Sequence, residues 1–150
     1  MSYLDVITLE EAKNHLRVEQ DFTEDDASIS RMIASALSFV EQYTNHILYP
    51  REKTYYRSVT EKRIRVYDYP INNYPDHITL HYSLMHEFAT DKVTLNVGYT
   101  NRNDIPSVFI EVALQIIDNW YYNFEKKANL STIPESGKEM LFKYRRAVIT

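Results

Sequence analysis

The first third of the chain contains two stretches in which apolar residues recur at helical spacing. In the first, Thr8 and Glu11 form a capping box ahead of a short amphipathic helix predicted near residues 9–17. The second begins at the acids Asp25 and Asp26 and is the clearest helix of the chain. Its i, i+3, i+4, i+7 stripe consists of Ile29, Met32, Ile33, Ala36, Leu37, Val40 and Tyr43. Because a residue before proline disfavours helix, Pro50 predicts an end between residues 43 and 48.

The middle of the chain changes to a period of two. Residues 63–67, 77–82 and 93–99 alternate apolar and polar side chains, and turn-forming Pro, Asn and Asp residues separate them. This pattern predicts a small antiparallel sheet or long hairpins, with one buried face on each strand. So small a sheet needs a helix or a neighbouring subunit over its apolar side.

Helical spacing returns after Pro106, which suits the first position of a helix. The apolar arc that follows is broad, so we expect this helix to lie centrally or at a subunit contact. The core or subunit-contact candidates are Ile116, Ile117, Trp120 and Phe124. Residues 129–134 read as a loop, and a last helix is predicted near 135–147. The predicted fold is mainly α with a small β part (α+β). It is a bundle of about four helices, with an antiparallel hairpin or small sheet inserted between the second helix and the long third helix.

Composition supports one domain over residues 1–150. A chain of 150 residues buries roughly 70% of its surface on folding, and 44% hydrophobic with 25% charged residues is ordinary for a globular protein. No apolar run approaches ~18 residues, so no membrane span is expected. The absence of cysteine excludes disulfides and cysteine-ligated zinc, and favours a reducing cytoplasm. Two glycines are too few for a P-loop or a dinucleotide-binding turn.

Charge is unevenly distributed along the sequence. Residues 1–26 contain eight acids and two bases, whereas residues 51–67 and the last 25 residues each contain six bases and two acids. This separation suits head-to-tail self-association, but solvated helix ends and loops account for it equally well.

The candidate chemistry is sparse, and we predict neither an enzyme nor a cofactor. His77 and His81 would stand about 13 Å apart on a strand, too far to share a metal ion. The Asp25–Asp26 pair is more typical of a helix start than of a Mg²⁺ site, so a metal-dependent enzyme ranks third among the hypotheses. The second hypothesis is a nucleic-acid-binding accessory protein that uses residues 51–67. Its candidate contacts to the DNA backbone are Arg57, Lys62, Arg63 and Arg65.

The order of motifs along the chain is more informative than any one of them. The set begins with residues 7–18, followed by the acids at 25–26 and the helix that ends at 40–44. Next come residues 93–99, and then the helix after 105–106, which contains the aromatic residues 120–122. Residues 133–134 and 141–145 complete the set. This order resembles the head–tail connector (adaptor) proteins of long-tailed bacteriophages and prophages over nearly the whole chain. Residues 50–92 depart from the pattern.

The resemblance implies a structural subunit of a ring, usually twelve-fold, that attaches beneath the portal in the virion neck. Such rings assemble in the host cytoplasm, extend the DNA channel, contact the passing DNA non-specifically and present a platform to the next neck or tail component. Together with the apolar and basic character of residues 130–150, the resemblance suggests that this segment docks on the portal. The portal-docking candidates are Ile133, Pro134, Met140, Leu141, Lys143, Tyr144, Arg145 and Arg146. The alternative is that the last helix caps its own bundle.

Overall fold

The computed structural model describes residues 1–58, 66–73, 90–123 and 135–145. Within these ranges the chain forms five α-helices, a 3₁₀ turn and two strands. In chain order they are α1 (Tyr3–Val6), α2 (Leu9–Leu16), α3 (Asp26–Thr44), β1 (Arg51–Ser58), β2 (Thr90–Val97), the 3₁₀ turn (Arg102–Asp104), α4 (Ser107–Asn123) and α5 (Glu135–Phe142). The prediction of a mainly α fold with a small antiparallel β part between the long helices is confirmed.

The core lies between α3 and α4, which pack along each other, while the shorter helices cover their flanks. The apolar stripe of α3 is buried at Ile29, Ile33 and Leu37. The stripe of α4 is buried at Phe109, Val112, Ala113, Ile116 and Ile117. Amphipathic period alone therefore identified the faces that meet, because each helix must bury one apolar stripe.

The capping box predicted for α2 is present. The Thr8 hydroxyl accepts from the Glu11 amide at 3.1 Å, and the Glu11 carboxylate accepts from the Thr8 amide at 2.9 Å. The helix ends at Arg17, which adopts the left-handed conformation with φ 58°. Its bounds agree with the prediction to within a residue.

The acids at the start of α3 make tertiary contacts as well as preceding the helix. Asp25 makes no side-chain capping bond and instead accepts from the Tyr121 hydroxyl at 2.7 Å. Asp26 accepts at 2.9 Å from the ammonium of Lys13, whose side chain is only 2% exposed. The expectation that these acids serve as helix caps is therefore wrong for the Asp25 side chain, which bonds to a distant hydroxyl instead.

The sheet has two antiparallel strands, in a register that pairs Arg51 with Val97 and Ser58 with Thr90. β2 overlaps the predicted run at 93–99, but it begins three residues earlier and ends two residues earlier, whereas β1 was not predicted. Of the expected strand at 63–67, Val66 and Tyr67 lie outside any strand. Residues 63–65 and the run at 77–82 lie outside the described residues. β1 escaped prediction because it lacks alternating aliphatic residues, and its less exposed side is formed by Arg51, Lys53 and Tyr55.

The apolar face of the sheet is covered by the protein itself. Ile47, Leu95 and Val97 form a second small core, against which Tyr55, Val66, Ile71 and Val93 pack. Ile71 bridges to Val97, and the Asn72 amide donates to the Asn96 carbonyl at 2.8 Å. The sheet thus obtains its cover from residues 66–72 and from the loop after α3.

The last helix is shorter than predicted. α5 ends at Phe142, and the chain continues as a turn in which the Tyr144 amide donates to the Leu141 carbonyl at 2.9 Å. The predicted helix is therefore wrong for residues 143–145, and residues 146 and 147 lie outside the described part of the chain. The turn brings the Tyr144 ring against α4, a contact that outweighs the continued helical pattern.

A substitution at Ile117 tests whether the apolar stripe of α4 belongs to the hydrophobic core. Its side chain is fully buried, so Ile117→Val is expected to lower the free energy of unfolding by about 0.5–1.5 kcal/mol. The matched control is Ile110→Val, the same change at a half-buried position of the same helix, which should cost less. Chemical denaturation of both variants measures the difference. Equal losses would show that Ile117 does not lie deeper in the core than Ile110.

Candidate functional site

The described part of the C-terminal segment contacts the helical bundle through Leu141, Tyr144 and Arg145. Leu141 is fully buried, and the Tyr144 ring packs edge-on against Phe109 with centroids 5.2 Å apart. The Arg145 guanidinium lies 5.3 Å from the centroid of Tyr43. Part of this segment therefore caps the bundle.

The same segment leaves apolar and charged groups exposed. Phe142 is 66% exposed and Met140 37% exposed, and Lys143 also faces solvent. Of the remaining portal-docking candidates, Ile133, Pro134 and Arg146 lie outside the described residues. Of the described candidates, Leu141 is buried, Tyr144 and Arg145 contact the bundle while remaining exposed, and Met140 and Lys143 are exposed.

A buried histidine lies where the C-terminal segment meets the rest of the fold. The His46 Nδ1 atom is 2.8 Å from the Tyr99 hydroxyl, and its ring contacts Tyr69, Phe109 and Tyr144 edge-on. This aromatic cluster joins the end of α3, the end of β2, the start of α4 and the segment after α5. Its packing fixes how the sheet and the C-terminal segment sit on the bundle.

Among the core or subunit-contact candidates, Ile116 and Ile117 lie inside the helical core. Trp120 is half-buried and packs edge-on against Phe39 at 6.3 Å. Phe124 lies outside the described residues. Two of the four candidates are therefore core residues of the subunit.

The basic segment at 51–67 is partly neutralised within the fold. Arg51 forms an ion pair with Glu41 at 2.7 Å, and Lys53 forms one with Asp68 at 2.6 Å. The candidates for contact to DNA, Arg57, Lys62, Arg63 and Arg65, have side chains outside the described part of the chain.

Glu41 organises a buried polar cluster at the base of the sheet. Its carboxylate is 5% exposed and accepts from the Tyr3 hydroxyl at 2.6 Å, from the Leu48 amide at 2.7 Å and from Arg51 at 2.7 and 3.2 Å. Burial alone would lower the pKa of Arg51, but the Glu41 carboxylate outweighs it and raises that pKa further. The cluster ties α1, α3 and β1 together.

Three tyrosine hydroxyls donate to carboxylates in different parts of the fold. Burial, and then the bond to Glu41, raise the pKa of Tyr3 to about 12. The bond to Asp25 raises the pKa of Tyr121 to about 12, with burial adding to it. Burial and the bond to Asp68 likewise raise the pKa of Tyr55.

These shifts predict a loss of stability at high pH. The unfolded chain releases the protons of Tyr3 and Tyr121 near the ordinary pKa of 10, whereas the folded chain holds them to about 12. Their contribution is therefore complete below pH 10 and declines as the pH rises through 12. Denaturation of the parent and of a Tyr3→Phe, Tyr121→Phe variant across this range tests the prediction, because the variant should lose less stability. Parallel declines would contradict it.

A polar cleft opens between the end of α2 and the C-terminal half of α4. Its volume is about 430 Å³, and it is lined by His15, Leu16, Arg17, Gln115, Asp118 and Tyr122. The Tyr122 hydroxyl donates to the Leu16 carbonyl, which joins the two walls. Nothing in the sequence pattern pointed to this cleft, since its two walls lie about 100 residues apart.

Three further buried polar residues were missed from the sequence. Lys13 is 2% exposed, Glu41 5% and His46 7%. For Lys13 and Glu41 a signal was present, because each occupies a position next to the apolar stripe of its helix. Within the described ranges, no group of three or more His, Asp or Glu side chains is placed to hold a metal ion. None of the described helices combines the length and apolar character needed to cross a membrane.

Comparison with known proteins gives a family and a fold. The family model for the phage gp6-like head-tail connector protein matches residues 6–148. No curated protein sequence matches. A chain of the neck of an empty gene transfer agent particle, computed with C6 symmetry, superposes with a TM-score of 0.63 at 11% identity, over 97% of this chain and 92% of that one. A chain of the native gene transfer agent virion gives the same TM-score and identity over 100% and 94%.

Proposed function

The chain belongs to the phage gp6-like head-tail connector family, and from this membership we propose that it is a structural subunit of a ring in the virion neck. The family match over residues 6–148 is the observation that carries the proposal. The family is one of structural connectors rather than enzymes. The likeness in fold to chains of a gene transfer agent neck and virion supports the same role.

In this proposal twelve subunits form the ring beneath the portal. A twelve-subunit ring is compatible with the C6 symmetry given for the similar neck. The ring extends the DNA channel and presents its far side to the next neck or tail component. Assembly takes place in the host cytoplasm.

Docking on the portal is assigned to the C-terminal segment. Its exposed Met140 and Lys143 supply an apolar and a cationic contact, and Leu141 and Tyr144 hold the segment on its own subunit. Ile133, Pro134, Arg145 and Arg146 flank these groups along the sequence and complete the proposed surface. Cationic groups on such a rim speed encounter with an acidic partner more than they tighten binding.

DNA passing through the ring is proposed to meet Arg57, Lys62, Arg63 and Arg65. Such contacts would neutralise phosphates without reading bases, so any affinity for DNA should fall steeply as salt is raised. A salt-resistant, sequence-selective complex would favour the nucleic-acid-binding alternative.

Electron microscopy of the purified protein, alone at high concentration and mixed with portal protein, tests the proposed function. We expect ring-shaped particles in at least one of the two samples, stacked on the portal in the mixture. A strict monomer in both samples would overturn the proposal.

The docking surface is tested by charge reversal. Lys143→Glu should slow association with the portal, while the exposed control Lys92→Glu on β2 should leave it unchanged. Biolayer interferometry on immobilised portal measures both rates. Equal rates for the two variants would remove Lys143 from the proposed docking surface.

A further inference from the structure

The cleft between α2 and α4 combines charged walls with an accessible aromatic ring. Arg17 and His15 lie on the α2 side, Asp118 lies on the α4 side, and Tyr122 is 56% exposed. Among the described residues, neither Arg17 nor Asp118 forms an ion pair. About 430 Å³ is within the range of cavities that accept a ligand group, and is enough for an aromatic side chain with a carboxylate beside it.

The outward face of α5 has the complementary chemistry. Glu135, Glu139 and Phe142 follow i, i+4, i+7 spacing, so they share one helix face, and all three are exposed. Phe142 is 66% exposed, which is the same fraction as Tyr56 and the highest among the large hydrophobic side chains of the described residues. The Glu135 carboxylate pairs with its neighbour Lys138 at 3.0 Å.

The two surfaces lie near different ends of α4. The segment that follows α5 packs on Phe109, near the start of α4, whereas Tyr122 lies near its end, about 20 Å further along the helix axis. Asp118 is nine residues from Phe109, or two and a half turns, so it projects from the opposite side of α4. Two different surfaces that fit each other join copies head to tail, and such a contact generates a ring when the rotation between copies closes.

We propose that the cleft between α2 and α4 receives the outward face of α5 from a second copy of this chain. Phe142 of the incoming copy packs on the Tyr122 ring and under the Arg17 guanidinium, and its Glu139 carboxylate pairs with Arg17 and His15. Aromatic stacking and the arginine–ring contact supply the attraction, and the charges fix the register. The inference rests on the proposed ring function and names the contact between its subunits.

Two exposed substitutions separate the two halves of the contact. Phe142→Ala removes the inserted group, and Arg17→Glu removes the receiving charge. Each is expected to raise the protein concentration needed for assembly by about tenfold or more, as measured by sedimentation velocity. Tyr56→Ala is the matched control, because it removes an aromatic ring of the same exposure from β1. It should assemble like the parent.

Mixing the two variants gives a sharper result. The Phe142→Ala copy keeps an intact cleft and the Arg17→Glu copy keeps an intact α5 face, so one productive contact forms between them and then stops. We expect each variant alone to be monomeric and the mixture to contain a dimer, with circular dichroism melts that match the parent. Absence of the dimer would overturn the proposed contact.

The outcomes distinguish this contact from the ring function itself. If the parent and both variants form the same rings by electron microscopy, the subunits meet through another surface and the ring function stands. If the parent forms no ring alone or with portal protein, the proposed function falls and this contact falls with it. Rings of the parent that are lost in both variants and kept in Tyr56→Ala support both.

Discussion

Replacing Glu41 by alanine is expected to destabilise the fold by about 3–5 kcal/mol. The substitution leaves the Arg51 guanidinium, the Tyr3 hydroxyl and the Leu48 amide without the acceptor that they share in a buried site. The cost is large because a buried donor that loses its partner keeps its desolvation penalty. Chemical denaturation monitored by circular dichroism measures it.

The control for Glu41→Ala is Glu52→Ala, which removes an exposed carboxylate from the neighbouring strand and should change stability by less than about 0.5 kcal/mol. A Glu41→Met, Arg51→Met variant adds a second check. Since it removes the acid and its principal cation together, it should be less destabilised than the sum of the two single variants. Additive losses would show that the ion pair is not coupled in the folded protein.

Gly98→Ala is expected to lower the free energy of unfolding by at least about 3 kcal/mol. Gly98 has φ 108°, a backbone conformation that residues other than glycine rarely adopt and that costs them of order 1–3 kcal/mol. A Cβ atom at this position would lie 2.1 Å from the Tyr49 carbonyl oxygen and 3.1 Å from the Ile47 side chain. Backbone rather than a flexible side chain blocks the space, so the loop after α3 must move away from the end of β2.

The movement caused by Gly98→Ala would disturb two backbone bonds, from the Gly98 amide to Pro70 at 2.9 Å and from the Tyr99 amide to Ile47 at 3.0 Å. Thermal unfolding and amide hydrogen exchange test this, with Thr100→Ala as an exposed control two residues away. Loss of protection at Gly98 and Tyr99 should accompany the lowered melting temperature. A variant as stable as the parent would mean that this close approach does not exist.

The three long-range polar contacts also explain how so short a chain positions its parts. Glu41 fixes the base of the sheet, Lys13 fixes the loop between α2 and α3 through the carbonyls of Gln20 and Phe22, and His46 joins the sheet to the C-terminal segment. Each joins elements that are separated along the chain.

The amino-acid sequence predicted α2, α3, α4, the start of α5, one strand and the family, but neither α1 nor β1. α2, α3 and α4 are predictable because capping boxes and apolar stripes act within a few residues of one another, and β2 is predictable because its aliphatic residues alternate. The family follows from the order of these local signals along the chain. Composition also excluded nucleotide-binding loops and disulfides, since both require residues that the chain lacks.

The buried polar side chains and the contacts between distant elements could be identified only from the tertiary structure. Lys13 and Glu41 lie beside apolar stripes, but their partners come from a different helix, loop or strand, so no local pattern specifies them. β1 was missed because its less exposed side includes Arg51 and Lys53, whose charges are paired by Glu41 and Asp68 from outside the strand. The end of α5 is set by the packing of Tyr144 on Phe109, and the cleft beside Arg17 exists only because α2 and α4 cross. In each case the deciding free energy comes from a contact between residues far apart in sequence, which only the folded chain brings together.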